Sequence, residues 1–153
     1  MKFFKKKIKN KKNTVEKSTI VFVTNQKRCV NLIEIGKKIA EKSETKLIVA
    51  NISPTKLSAD GAMALDYLFN QTTSSGGEMQ IIYSNDFFNE MKSFVKKFNG
   101  LHIVTGRPEN ENSIVYRIQR ELSEQIFYTV DPETEEYIAK NEEQVIFNEK
   151  INV

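Results

Sequence analysis

The sequence predicts an α/β fold, an open doubly wound parallel sheet with helices on both faces. Five short apolar runs alternate with four amphipathic stretches of helical period, giving the order β-α-β-α-β-α-β-α-β. The runs are mostly continuous in apolar residues, as expected of strands buried on both faces in a parallel sheet. Strands separated by helices also imply right-handed crossovers.

The first strand is Ile20-Val21-Phe22-Val23, a β-branched and aromatic run. From Cys29 a helix follows, with Leu32, Ile33, Gly36, Ile39 and Ala40 on one face. Asn31, Glu34, Lys37, Lys38 and Glu41 take its other face. The second strand is Leu47-Ile48-Val49-Ala50. The second helix is expected from about Asp60 to Gln71, burying Ala64, Leu65, Leu68 and Phe69, and Ser74-Ser75-Gly76-Gly77 stops it. Met79-Gln80-Ile81-Ile82-Tyr83 is the third strand. The third helix carries the stripe Phe87, Met91, Phe94, Val95 and Phe98 and ends at Asn99-Gly100. Leu101-His102-Ile103-Val104 is the fourth strand. After Pro108, Asn112 or Ser113 caps a fourth helix that buries Ile114, Val115, Ile118 and Leu122. Ile126-Phe127-Tyr128-Thr129-Val130 is the fifth strand. Beyond Asp131, Glu135 to Gln144 reads as a short helix or as disorder, and Val145-Ile146-Phe147 as a short strand or docking segment.

Charge divides the 153 residues into three parts. The total is only +3, yet residues 1–13 hold seven Lys and no acid. Residues 131–153 hold seven acids against two Lys. We therefore read a basic arm (1–17), an α/β domain (18–130) and an acidic extension (131–153). A uniformly basic nucleic-acid binder does not fit this distribution. No apolar run approaches the roughly 20 residues of a membrane span, and no signal-peptide core follows the basic start. The expected location is cytoplasmic. One Cys excludes a disulfide framework and a Cys-based zinc site, and one His argues against a His-rich metal site or a His-dependent triad. We expect no metal site.

Open α/β sheets bind ligands beyond the carboxyl ends of their strands, where the strand order reverses. The loops to inspect are Thr24-Asn25-Gln26, Asn51-Ile52-Ser53, Ser84-Asn85-Asp86 and Thr105-Gly106-Arg107. Gly106 would let backbone approach a ligand closely, and Arg107 could grip a phosphate with two hydrogen bonds. The Walker A and GxGxxG patterns are absent. Cys29, near the start of the first helix but on its apolar stripe, reads as a buried thiol. His102 lies inside a strand run and reads as a packed histidine. Asp86 reads as the cap of the third helix.

The series from Val21-Phe22-Val23-Thr24-Asn25-Gln26-Lys27-Arg28-Cys29 through Leu32-Ile33 and Gly36 resembles the opening strand and helix of the universal stress protein family. The nearest branch is the universal-stress domain of potassium-sensing histidine kinases. Ala64-Leu65-Asp66-Tyr67-Leu68-Phe69, Phe94-Val95-Lys96-Lys97, His102-Ile103-Val104-Thr105-Gly106 and Asn112-Ser113-Ile114 continue it, over roughly residues 18–130. The resemblance implies a three-layer, five-stranded sheet of order 3-2-1-4-5 within the adenine-nucleotide-binding superfamily that also contains the HUP domains. With no kinase region, the chain reads as a stand-alone domain.

ATP-binding members of that family carry Gly-x2-Gly-x9-Gly-(Ser/Thr) after the fourth strand. Here Gly106 matches the first Gly, while Glu109 and Gln119 fall on the other two. Aligned by the helix start, Asn112-Ser113 replaces Gly-Ser, and Thr24-Asn25 stands where such members have an Asp. The pattern argues against tight ATP binding and leaves a smaller or different nucleotide open. The expected function is a non-catalytic regulatory or ligand-sensing domain, with an adenine or other nucleotide as the candidate ligand and no required cofactor. Thr24, Asn25 and Asn51 would meet base or sugar, Gly106 would allow approach, and Arg107 and Ser113 would hold phosphate. The resemblance also implies a homodimer through the last strand, Ile126 to Val130. The alternatives are a nucleotide-hydrolysing or nucleotide-transferring enzyme on the same fold, and an interaction protein docking on an anionic membrane or RNA through its lysine arm.

Overall fold

The structure, a computed structural model, describes residues 16–108, 110, 113–131 and 137–139. The arm up to residue 15, Glu109, Glu111, Asn112 and most of the acidic extension, Val145-Ile146-Phe147 included, lie outside the described residues. The strands are β1 (Ser18–Phe22), β2 (Lys46–Ser53), β3 (Glu78–Tyr83), β4 (Gly100–Gly106), β5 (Ile126–Val130) and β6 (Tyr137–Ala139). The helices are α1 (Val30–Ser43), α2 (Ala59–Ser74), α3 (Phe87–Lys97) and α4 (Ile114–Glu121). The sheet order is β3-β2-β1-β4-β5-β6, with the first five strands parallel. The five-stranded doubly wound sheet of order 3-2-1-4-5 is thus the framework.

Alternation along β1 assigns the two faces. Val21 and Val23 point into a cluster with Leu32, Ile33, Ile39 and Leu68 of α1 and α2. Ile20 and Phe22 point into the opposite cluster with Met91, Phe94 and Ile118 of α3 and α4. Every residue of β1 is buried, and each such aliphatic side chain contributes about 1.5–3 kcal/mol by leaving water.

The helix boundaries have local causes. Ser58 caps α2, its hydroxyl accepting from Gly61 N at 3.0 Å. Asp86 caps α3 as expected, accepting from Asn89 N at 3.3 Å. Asn99, at φ 51°, takes the left-handed turn that ends α3. Ser113 caps α4, accepting from Val115 N at 3.2 Å.

Three expectations are corrected. Phe69 is exposed, because it lies beside the edge strand β3, where no further strand covers it among the described residues. Ile114 is exposed at the first position of α4, one turn before the buried Ile118. Tyr137–Ala139, within the stretch expected to be a short helix or disordered, is a strand running antiparallel to β5, with Tyr128, Thr129 and Val130 opposite Ala139, Ile138 and Tyr137. An open edge of parallel strand leaves backbone groups unpaired, and a short antiparallel return satisfies them. The acidic extension therefore begins by joining the sheet. A dimer through Ile126 to Val130 would have to form with β6 in place on that edge.

Candidate functional site

β1 leads to helices on one face of the sheet and β4 to helices on the other. This divergence opens a crevice at their carboxyl ends. The crevice is a cavity of about 450 Å3, a size typical of small-molecule sites. Thr24, Asn25, Asn51, Gly106 and Arg107, all singled out from the sequence, line it. Ser113 does not, and its hydroxyl is engaged in capping α4.

On the β1–β2 side stands a hydrogen-bonded cluster. Asn51 is 1% exposed, and its Nδ2 donates to Val23 O and to Asn25 Oδ1, both at 2.9 Å. Ser53 Oγ donates to Asn25 Oδ1 at 3.1 Å and also pairs with Asn51 Oδ1. Asn51 is therefore committed to the protein rather than to a ligand. It fixes the loop after β1 and leaves Asn25 Nδ2 turned away from the bonds made at Oδ1. Asn51→Leu should remove three hydrogen bonds around a buried carbonyl. The expected loss is about 2–3 kcal/mol in urea unfolding. A loss below a few tenths would dismiss this anchoring role.

On the β4 side, Arg107 N donates to Val130 O at 2.8 Å, and the guanidinium lies 3.8 Å from Asp131. Both side chains are partly exposed, so the pair is weak. Thr105 is 3% exposed and its Oγ1 has no hydrogen-bond partner. An unmade bond in a buried hydroxyl at a cavity wall is costly unless something completes it. Gly106 leaves open space: a Cβ there would meet only Leu32 Cδ1, at 3.9 Å.

Among the described residues the lining holds two arginines, Arg28 and Arg107, and no carboxylate. Arg28 Nε donates to Gln26 Oε1 at 2.7 Å. Cys29 is buried in the wall, its sulfur 3.4 Å from Thr24 Oγ1. His102 is absent from the cavity. It is 2% exposed and pairs through Nδ1 with Tyr128 OH at 3.0 Å, and burial pushes its pKa down to about 4. Among the described residues no three His, Cys, Asp or Glu side chains cluster to hold a metal. None of the described helices is long and apolar enough to cross a membrane.

Ser53 is pointed to by sequence only within the Asn51-Ile52-Ser53 loop, and Arg28 is given no ligand role there, although signals exist for both. Ser53 lies two residues after Asn51, hence on the same strand face. Arg28 sits in the turn that feeds α1. Phe87 and Met91 of α3 also reach the cavity, from a stripe that reads as ordinary core.

Among solved structures, a universal stress protein in complex with cAMP superposes with a TM-score of 0.59 at 13% identity, covering 78% of this chain and 99% of that one. A universal stress family protein from Burkholderia pseudomallei gives 0.52 at 13% identity, covering 71% and 92%. This chain has the universal stress protein fold. No protein-family model matches the sequence, and no curated protein does. The likeness is one of backbone architecture, at 13% identity. Of the glycine loop that the resemblance to ATP-binding universal stress proteins implies after β4, this sequence matches Gly106 alone.

Proposed function

We propose that this universal stress fold is a cytoplasmic, non-catalytic sensing domain that takes a small nucleotide with one phosphate, linear or cyclic. The observation that carries this reading is the charge of the cavity wall, which holds Arg28 and Arg107 and, among the described residues, no carboxylate; Glu109 and Glu111 of the loop after β4 lie outside the described residues. In this pose Arg107 exchanges its weak pair with Asp131 for the phosphate. Asn25 and the unpartnered Thr105 Oγ1 meet polar atoms of base or sugar. Phe22, Phe87 and Met91 supply the apolar surface a base requires. Absence of the glycine loop argues against cradling a triphosphate. Among the described residues no carboxylate or His stands in the lining to act as a general base, which favours sensing over hydrolysis. The cAMP complex on the same fold is consistent with this size of ligand.

Thermal shift with AMP, cAMP, ATP and a cyclic dinucleotide tests the reading. AMP or cAMP at 100 times its dissociation constant should stabilise by about 2.7 kcal/mol, and ATP should do less at equal concentration. Arg107→Ala should weaken the monophosphate about tenfold while leaving the unliganded midpoint nearly unchanged. No stabilisation by any of the four would sink the proposal. Release of phosphate by the purified chain would move it to the enzyme class.

A further inference from the structure

The exposed apolar surface of this protein is concentrated at one edge. Five large apolar side chains are exposed among the described residues: Met63, Tyr67, Phe69, Tyr83 and Ile114. The first four belong to α2 or β3. Phe69 and Tyr83 are 46% and 56% exposed and flank a groove floored by Leu57, Leu65 and Ile81. Beside the groove runs the outer edge of β3, which pairs with no strand among the described residues.

β3 has the composition of an interior strand in an edge position. Met79, Ile81, Ile82 and Tyr83 form a nearly continuous apolar run, yet none is fully buried and Tyr83 is exposed. Natural edge strands are commonly guarded by lysine, proline or a bulge. β3 has none of these. Its one charge, Glu78, is tied to Lys46 of its own sheet at 3.0 Å. The opposite end of the sheet differs, since β6 covers β5 there and offers three residues of outer edge against six in β3.

We infer that the outer edge of β3, with the α2 flank, is the docking surface for a second copy of this chain, strand against antiparallel strand. A two-fold axis normal to the sheet preserves its faces, so the residue on the axis must face itself. With the axis at Ile81, Ile81 meets Ile81, and Met79 meets Tyr83 of the other copy, all on the α2 side. Gln80 meets Ile82 on the far side, and Glu78 meets Ser84. No like charges oppose each other, which self-pairing requires. Phe69 of each copy covers the joined strands from above. The four half-exposed rings of the pair supply roughly 100 Å2 each, about a third of what a stable interface needs. The paired backbone, Ile81 and Leu57 add to this, and association is therefore weak and depends on concentration.

Two measurements test this on the full chain. Sedimentation from micromolar to hundreds of micromolar should move from the 17.7 kDa monomer to twice that mass. The double variant Phe69→Lys, Tyr83→Lys should weaken association tenfold or more, with an unchanged circular dichroism spectrum. Ile81→Cys should form an intermolecular disulfide on mild oxidation, because the self-facing position alone brings two copies of one residue together; native Cys29 is buried. A monomer throughout the range would overturn the proposal. So would a dimer that survives the lysine variant while Ile81→Cys stays uncrosslinked. A chain that dimerises only when started at Glu16 would assign the edge to its own basic arm and overturn it equally.

Discussion

Between pH 6.5 and 4, folding stability is expected to fall by up to about 3 kcal/mol through His102 alone. The imidazole sits in the layer beneath α1, 2% exposed, its ring 5.8 Å from that of Tyr128. Burial disfavours the charged ring and lowers its pKa from 6.5 to about 4. The folded pKa lies below the unfolded one, so the unfolded chain binds the extra proton throughout that window. The stability is complete above pH 6.5 and is lost progressively as pH falls towards 4. At its steepest the slope approaches about 1.4 kcal/mol per pH unit. Glu78 acts in the same direction at lower pH. The hydrogen bond from Lys46 holds its carboxyl below the usual value, followed by the bond from Gln80 and the Lys46 charge. Its contribution is present above 4.5 and lost as pH falls through the lowered value, which leaves the range above 4.5 to His102. The comparison is His102→Leu, followed by urea unfolding across that range. The variant should be less stable near neutrality, having lost the bond to Tyr128, yet flatter with pH by about one proton. Parallel pH profiles for the two proteins would remove His102 from the account.

Gly36→Val is expected to destabilise by about 3 kcal/mol or more, and Gly36→Ala by about 2 kcal/mol. Gly36 lies mid-helix in α1, where glycine itself costs about 1 kcal/mol relative to alanine. The contact with the sheet explains its presence. A Cβ at this position would collide with Val21 Cγ2 and lie 3.4 Å from Leu47 Cδ1. Val21 is fully buried in β1, the central strand, and has little room to move. Either variant must therefore lift α1 from the sheet. That would also disturb the loop carrying Thr24 and Asn25, which joins β1 to α1. Val21→Ala alone should cost about 2 kcal/mol by emptying space. Combined with Gly36→Ala it should recover at least about 1 kcal/mol relative to the sum, since the new methyl occupies the vacated volume. Strict additivity in that double-mutant cycle would refute the steric explanation.

The strands and helices were legible because each carries its own period or run. β1 and β2 carry the apolar runs Ile20-Val21-Phe22 and Leu47-Ile48-Val49-Ala50, and these runs are buried. The stripe of α3 is equally plain, with Met91, Phe94 and Val95 buried as expected. Five of the six candidate residues line the cavity because the ends of parallel strands converge on one side of the sheet. Ser113 lies outside that lining: a residue near a helix start can serve the helix or a ligand, and its hydroxyl caps α4. Asn51 shows the same limit in another form. Its position after β2 was readable, but its commitment to Val23 and Asn25 depends on distances between chain segments 26 and 28 residues apart.

The sequence by itself determined the α/β class, the order of elements and the strand ends that build the cavity, since these follow from local periodicity and from a topology that parallel strands enforce. Tertiary structure alone decided how edges and charges are paired. It laid Tyr137–Ala139 along β5 and left β3, written like an interior strand, at an edge that pairs with no further strand among the described residues. It also gathered Arg28 and Arg107 into one wall. The physical reason is the range of the forces concerned. Hydrophobic period acts within one element and is written in consecutive residues. Backbone pairing and charge act between segments far apart in sequence, and only the folded chain sets those distances.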